Sequence, residues 1–147
     1  MPSDPGMAII AHAIQLAVAP VFLLAGVGAL LNVMANRLGR IMDRARRVEG
    51  LWPEFDDAAR EAARTELSVL RRRAHCASWA INLCTCAALL VCVVVASLFV
   101  DAFLATNLKW LVGAFFVVAM AALIGGLIAF LAEVYLATHM LRIGPPE

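Results

Sequence analysis

Charged residues are missing from three long stretches of this 147-residue chain, namely residues 5–36, 74–100 and 110–132. With 63% hydrophobic residues and a mean hydropathy of +0.87, the chain is more apolar than a soluble domain, in which about half of the residues are apolar. A helix crosses the hydrocarbon core with about 20 apolar residues, and each uncharged stretch is longer. The alternation of apolar and polar residues found in strands of membrane barrels is also missing, so the stretches predict transmembrane helices.

Cysteine is missing from the segments that we expect on the outer side of the membrane, because Cys76, Cys84, Cys86 and Cys92 all lie in or near the second stretch. A structural disulfide is therefore not expected in spite of the even count. The sequence also lacks a serine–histidine–acid arrangement, a glycine-rich phosphate loop and paired carboxylates at a depth suited to catalysis. We expect no enzyme activity, no cofactor and no metal.

Lysine is nearly absent, and ten of the twelve basic residues are arginines within residues 37–73. Short segments rich in basic residues stay on the cytoplasmic side of a membrane. We therefore expect an outer N-terminus, a cytoplasmic segment 37–73, an outer connection 101–109 and a cytoplasmic C-terminus, where Arg142 follows the third span. The first stretch has no basic segment before it and is too long for a signal peptide, so we interpret it as a retained anchor.

The predicted fold is an all-α membrane protein whose first and second transmembrane helices extend into a cytoplasmic antiparallel two-helix hairpin. We predict one membrane domain over residues 1–147, with spans at about 9–34, 76–100 and 111–132 and the hairpin at 37–73. Gly50 and Pro53 are helix stop signals, and Asp56 is suited to cap the next helix. Facing apolar residues predict packing of the two arms. They are Leu38, Ile41, Met42, Ala45 and Val48 on the first arm and Ala59, Ala63, Leu67, Leu70 and Ala74 on the second.

Residues 14–24, IQLAVAPVFLL, followed by residues 30–46, LLNVMANRLGRIMDRAR, resemble the family of small bacterial membrane proteins filed as domain of unknown function twenty-seven twenty-one. The resemblance covers most of the chain and is strongest over residues 14–46. It implies a location in the bacterial inner membrane. It implies no activity.

Arginines recur along both arms at spacings that place them on one side of a helix. They are Arg37, Arg40, Arg44 and Arg47 on the first arm and Arg60, Arg64 and Arg71 on the second. One interpretation is a solvated face that fixes topology, with Arg37 and Arg73 reaching to lipid headgroups. The other is a binding site for an anion, either a phospholipid headgroup, a phosphate-bearing ligand or an acidic protein partner. Nucleic acid is not an expected partner, because the net charge of residues 37–73 is only +3.

Polar and small residues follow one side of the first span. They are His12, Gln15, Ala19, Phe22, Gly26, Ala29 and Asn36, and are called the polar stripe below. Polar side chains at membrane depth face protein or water. The stripe is therefore either a helix interface or the lining of a pore, with Phe22 as a constriction and Asn36 with Arg37 as an inner ring. Three spans cannot shield such residues from lipid alone, so we expect a homo-oligomer.

Glu133 falls at the end of the third stretch, where a carboxylate needs a partner or serves as a proton or cation site. Arg37, Arg40 and Arg73 lie at the matching depth, and Asp43 is placed to pair with Arg46 or Arg47. Glu133, Arg73 and Asp43 are thus the candidates for buried ion pairs. Small residues spaced by four predict close helix packing along the third span. They are Ala121, Gly125 and Ala129.

The favoured function is a self-associating, non-enzymatic membrane module whose hairpin binds lipid headgroups or an acidic partner. The alternative is a homo-oligomeric ion channel or transport component with a pore lined by the first helix. A haem- or metal-binding membrane protein comes third, because His75 and His139 would have to converge.

Overall fold

Helices account for nearly all of the protein in a computed structural model that describes residues 5–104 and 109–139. They are α1 at Pro5–Gly50, a 3-10 helix at Trp52–Glu54, α2 at Asp57–Leu104 and α3 at Lys109–His139. Each of the three α-helices is long and apolar enough to cross a membrane. These findings confirm an all-α protein with three helices suited to span a bilayer. Arg142 lies outside the described residues.

The connection from α1 to α2 follows the turn signals in the sequence. The Leu51 N–H donates to the Arg47 carbonyl at 3.2 Å, and the Glu54 N–H donates to the Leu51 carbonyl at 3.0 Å. The Asp56 carboxylate then accepts a hydrogen bond from the Ala59 N–H at 2.8 Å. This contact satisfies one of the free donors at the start of α2, so the predicted cap is confirmed.

The chain divides into two compact units, each with its own small core. One unit comprises Met1–Leu31 and Leu83–Ile124, and its buried hydrophobic residues are Ala17, Val27, Cys84, Ala87, Val91, Val94 and Ala119. The other comprises Asn32–Asn82 and Gly125–Glu147, and its buried hydrophobic residues are Met34, Ile41, Val48, Ala63, Leu70, Ala77 and Ala80. Many of these side chains are alanines, which permit close approach of helix backbones.

Buried positions recur every seven residues on each α-helix. They are Val27, Met34, Ile41 and Val48 on α1, Ala63, Leu70, Ala77, Cys84 and Val91 on α2, and Ala119, Gly126 and Glu133 on α3. A period of seven keeps one side of a helix buried when neighbouring helices wrap around each other with a left-handed twist. Glu133 therefore stands at a position that the pattern gives to a small apolar residue.

The outward sides of the helices carry large apolar side chains. Trp110 is 82% exposed, Phe22 75% and Leu131 67%. Exposed apolar surface of this extent is unusual on a soluble monomer and is expected where helices face lipid.

Candidate functional site

A carboxylate held by two guanidinium groups forms the centre of the site, and Arg37, Glu133 and Arg73 are called the charge triad below. Glu133 is completely buried, with 0% of its surface exposed. Its Oε2 lies 3.0 Å from the Arg37 Nε, and its Oε1 lies 3.0 Å from the Arg73 Nη2. The Arg73 Nε also donates to Oε1 at 3.3 Å. The Arg37 guanidinium lies over the Phe130 ring at 5.5 Å, a cation–π contact that supports its position.

Each member of the charge triad stands at the end of an uncharged stretch. Arg37 directly follows residues 5–36, Arg73 directly precedes residues 74–100, and Glu133 directly follows residues 110–132. The structure brings these three sequence positions into contact within one unit. The triad therefore marks a common level at which the apolar parts of three helices end.

Positive charge exceeds negative charge in the triad. One carboxylate compensates one of two guanidinium groups, so the cluster carries a net charge of about +1. The Arg37 and Arg73 side chains are 27% and 23% exposed. Although the Arg37 Nε lies within ion-pair distance of Oε2, that oxygen has no hydrogen bond of good geometry. The carboxylate is thus compensated in charge but not fully hydrogen bonded.

The arginine arms, defined as residues 37–50 of α1 and 57–73 of α2, contain several exposed ion pairs. The Arg44 Nε donates to the Glu66 Oε1 at 2.7 Å and so joins one arm to the other. Two further pairs lie within α2, Arg60 with Asp57 at 3.4 Å and Arg64 with Glu61 at 3.8 Å. Exposed pairs of this kind stabilise a fold by little, because water screens them.

A second group of arginines on the arms is exposed and forms no ion pair with any residue that the structure describes. Its members are Arg40, Arg46, Arg47, Arg71 and Arg72. The predicted anion-binding set is thus divided between residues bound within the chain and residues facing outward. Arg40, Arg47 and Arg71 belong to the outward group.

The expectation of a buried ion pair for Asp43 is wrong. The side chain is exposed, and no ion pair to it is found among residues 5–104 and 109–139. Asp43 lies two residues beyond the buried Ile41, which turns it about 200° around the helix and away from the core. Arg40, which was expected at the depth of Glu133 as a partner for it, is also exposed.

The polar stripe is exposed along its whole length, at His12, Gln15, Ala19, Phe22, Gly26, Ala29 and Asn36. A Cβ added at Gly26 would have no atom within 4 Å, and the Asn36 amide donates to Asn32 on the same helix, at 3.4 Å. The described part of the chain thus leaves this side of α1 uncovered. Arg37, expected beside Asn36 in the pore interpretation, contacts Glu133 instead.

Histidine and cysteine residues do not gather into a metal site among the residues that the structure describes. The His75 Nε2 accepts a hydrogen bond from the Trp79 Nε1 at 3.0 Å, on the same helix. The His139 side chain lies outside the described residues. The four cysteines are free thiols.

Two cavities border the arms. One, of about 400 Å³, lies over apolar residues such as Ile41 and Leu67 and is edged by Glu49, Arg64 and Arg71. The other, of about 410 Å³, is lined by Arg73 of the charge triad together with Thr65, Glu66, Val69 and Ala137. The second is called the Arg73 cavity below.

Sequence reasoning missed the ion pair between Arg44 and Glu66, although the sequence contains a signal for it. Arg37 and Arg44 are seven residues apart on α1, and Glu66 and Arg73 are seven residues apart on α2. The same period separates the buried residues, so each pair lies on one side of its helix. The ion pairs Arg44–Glu66 and Arg73–Glu133 therefore follow one another along the helices at the same seven-residue spacing.

The comparisons with known proteins identify one family. The family model described as Protein of unknown function (DUF2721) matches residues 17–143 of the chain. Searches among curated proteins and among solved structures gave no match.

Proposed function

This chain belongs to the family described as Protein of unknown function (DUF2721), and we propose that it is a self-associating, non-enzymatic module of the bacterial inner membrane. In this proposal the N-terminus lies outside, and the arginine arms form a hairpin in the cytoplasm that engages anionic lipid headgroups. The three membrane-suited helices and the concentration of arginine in residues 37–73 support it.

The exposed polar stripe is the observation that carries self-association. His12, Gln15 and Asn36 are exposed on a helix that is suited to cross a membrane. Polar side chains in lipid are costly, and they normally face protein or a water-filled space. Small residues at Ala19, Gly26 and Ala29 on the same side would allow a second helix to approach closely. A second copy of the chain supplies that helix in the proposal.

Two glycine variants test the self-association of the stripe. Gly26 lies in the stripe, whereas Gly28 lies about 200° further round α1, and a Cβ at either one meets no atom within 4 Å. Leucine at either site is therefore compatible with the single chain. We expect Gly26→Leu to reduce the mass of the detergent-solubilised particle toward that of one chain and Gly28→Leu to leave it unchanged. Light scattering with detergent correction gives the mass.

A wild-type particle with the mass of one chain would contradict the proposal. Equal loss of mass in both variants would also contradict it, because the effect would then not belong to the stripe. Circular dichroism of both variants confirms that their helices are intact.

The outward arginines support engagement of anionic lipid. Arg40, Arg46, Arg47, Arg71 and Arg72 are exposed without an ion pair in the described part of the chain. A basic residue close to an anionic membrane surface contributes about 1 kcal/mol, so several together hold the arms against the bilayer. An acidic protein surface would use the same charges, and its binding would fall with salt in the same way.

A homo-oligomeric channel is the second candidate, and the order of residues along the stripe favours it. Polar residues at His12, Gln15 and Asn36 flank the apolar Phe22, which is 75% exposed. Such an order is found in pores with a hydrophobic constriction. Ion flux into proteoliposomes that changes with Phe22→Ala would favour the channel, and absence of flux would favour the scaffold.

A further inference from the structure

The Arg73 cavity adjoins the charge triad, because Arg73 belongs to both. Its lining runs along α2 from Ala62 to Arg73 and includes Ala137, one helical turn beyond Glu133 on α3. All of these residues lie beyond the uncharged stretches, since 74–100 begins after Arg73 and 110–132 ends before Glu133. The Arg73 end of the cavity therefore lies where the apolar parts of the helices end, at the level expected for lipid phosphates if these parts span a bilayer.

The positive charge at the Arg73 end of this cavity favours the binding of an anion. The triad has two guanidinium groups and one carboxylate, and Arg73 is 23% exposed. Arg73 uses its Nε and Nη2 on Glu133, which leaves Nη1 with hydrogen-bond donors for another acceptor. Glu133 is buried and holds the Arg73 guanidinium in place. Arg73 would therefore lose less side-chain conformational entropy on binding a ligand than a mobile surface arginine would.

The remaining polar groups of the lining suit a hydroxylated headgroup. Glu66 would repel an anion, but Arg44 compensates its charge at 2.7 Å. The Thr65 hydroxyl donates to the Glu61 carbonyl at 3.1 Å and keeps its capacity to accept. Two acceptors thus lie along the wall, and headgroup hydroxyls can donate to them.

We propose that the Arg73 cavity binds the headgroup of an anionic glycerophospholipid, with the phosphodiester on Arg73 and the headgroup hydroxyls toward Thr65 and Glu66. The proposal rests on the membrane location of the proposed function. It adds a discrete site of one lipid to the diffuse attraction of the outward arginines. The volume of about 410 Å³ is within the range of small-ligand sites and exceeds that of a glycerol headgroup.

Titration of the full chain in detergent with dioctanoyl phosphatidylglycerol tests the site, with native mass spectrometry to count bound lipids. Dioctanoyl phosphatidylcholine and sodium phosphate are the comparison ligands. We expect Arg73→Gln to weaken binding of the anionic lipid about tenfold, the effect of one charge-assisted hydrogen bond. Ala137→Leu fills the cavity without touching a charge, and we expect a similar loss.

Ala132→Leu is the matched control for Ala137→Leu, because Ala132 lies on the same helix, is exposed and is outside the cavity lining. We expect its binding to stay within twofold of the wild type. If Arg73→Gln does not fold, as judged by circular dichroism, Ala137→Leu still tests the site because it leaves the charge triad intact.

Equal losses in the Ala132 and Ala137 variants, or no loss with Ala137→Leu, would overturn the site while leaving the proposed attraction to anionic lipid. Binding of sodium phosphate as tight as that of the lipid would overturn the lipid as occupant. Absence of any preference for phosphatidylglycerol over phosphatidylcholine in the wild type would overturn the site and the headgroup role of the arms. Self-association would still be decided separately by particle mass.

Discussion

Glu133 shows at the scale of a single residue how a buried charge is stabilised in this protein. On α3 it follows Ala119 and Gly126 in the buried series, so an ionised group occupies a core position. Burial of a carboxylate without partners would cost several kcal/mol, and its two guanidinium partners offset that cost. The ion pairs are therefore a condition for this carboxylate to be buried rather than an addition to an otherwise stable core.

Replacement of the buried carboxylate by an amide tests this argument. We expect Glu133→Gln to lower the free energy of unfolding by about 3 kcal/mol, because Arg37 and Arg73 then lose the charge that compensates them. Glu66→Gln is the control, since Glu66 is also paired with arginine but its side chain is 39% exposed. Its cost should stay below about 1 kcal/mol. Denaturant unfolding in detergent, followed by circular dichroism, measures both.

Similar costs for the two amide variants would show that burial does not set the role of Glu133. A double-mutant cycle refines the result. In the Glu133→Gln background, Arg73→Gln should cost less than it does in the wild type, because the arginine no longer has a carboxylate partner.

Sequence reasoning identified Glu133 and named Arg37, Arg40 and Arg73 as residues at its depth, and in the structure two of these three contact it. The depth of these residues relative to the membrane could be predicted from the ends of the uncharged stretches. The direction of each side chain could not, because it depends on which side of α1 packs inward. That side includes Ile41, and it leaves Arg40 and Asp43 exposed.

At the scale of helices, close packing is concentrated on α2 more than the sequence pattern suggested. Small residues spaced by four drew attention to Ala121, Gly125 and Ala129 on α3, yet Ala121 is exposed. The buried α3 series is spaced by seven, because steps of four drift around the helix by about 40° each. On α2 the tightest positions are Ala80 and Cys84, which are both 0% exposed.

Enlargement of one α2 alanine tests whether backbone proximity stabilises the fold. We expect Ala80→Leu to lower the free energy of unfolding by about 1–3 kcal/mol, since a close-packed core has no room for three added carbons. Ala96→Leu is the control on the same helix, because Ala96 is exposed and leucine is equally suited to lipid. Thermal unfolding in one detergent compares them. A destabilised Ala96 variant with a stable Ala80 variant would contradict the assignment of the packed side.

At the scale of the whole chain, the three long apolar helices and the turn between α1 and α2 were the most predictable features. The uncharged stretches predict the three helices, and the signals at Gly50, Pro53 and Asp56 predict where α1 ends and α2 begins. The division into two units was not predictable, since the helices run through both. The surroundings of the polar stripe were not predictable either, because one sequence does not show whether water or a second helix contacts it.

Orientation is the property of the whole chain on which the proposed role of the arms depends. Ten arginines in residues 37–73, against one charge of each sign in 101–109, favour retention of the arms in the cytoplasm. We expect a membrane-impermeant maleimide to label Glu54→Cys only after the cells are broken and Lys109→Cys in intact cells. The wild type is the control, because its four cysteines lie within α2. Labelling of Glu54→Cys in intact cells would place the arms outside and remove the basis for their engagement with cytoplasmic lipid.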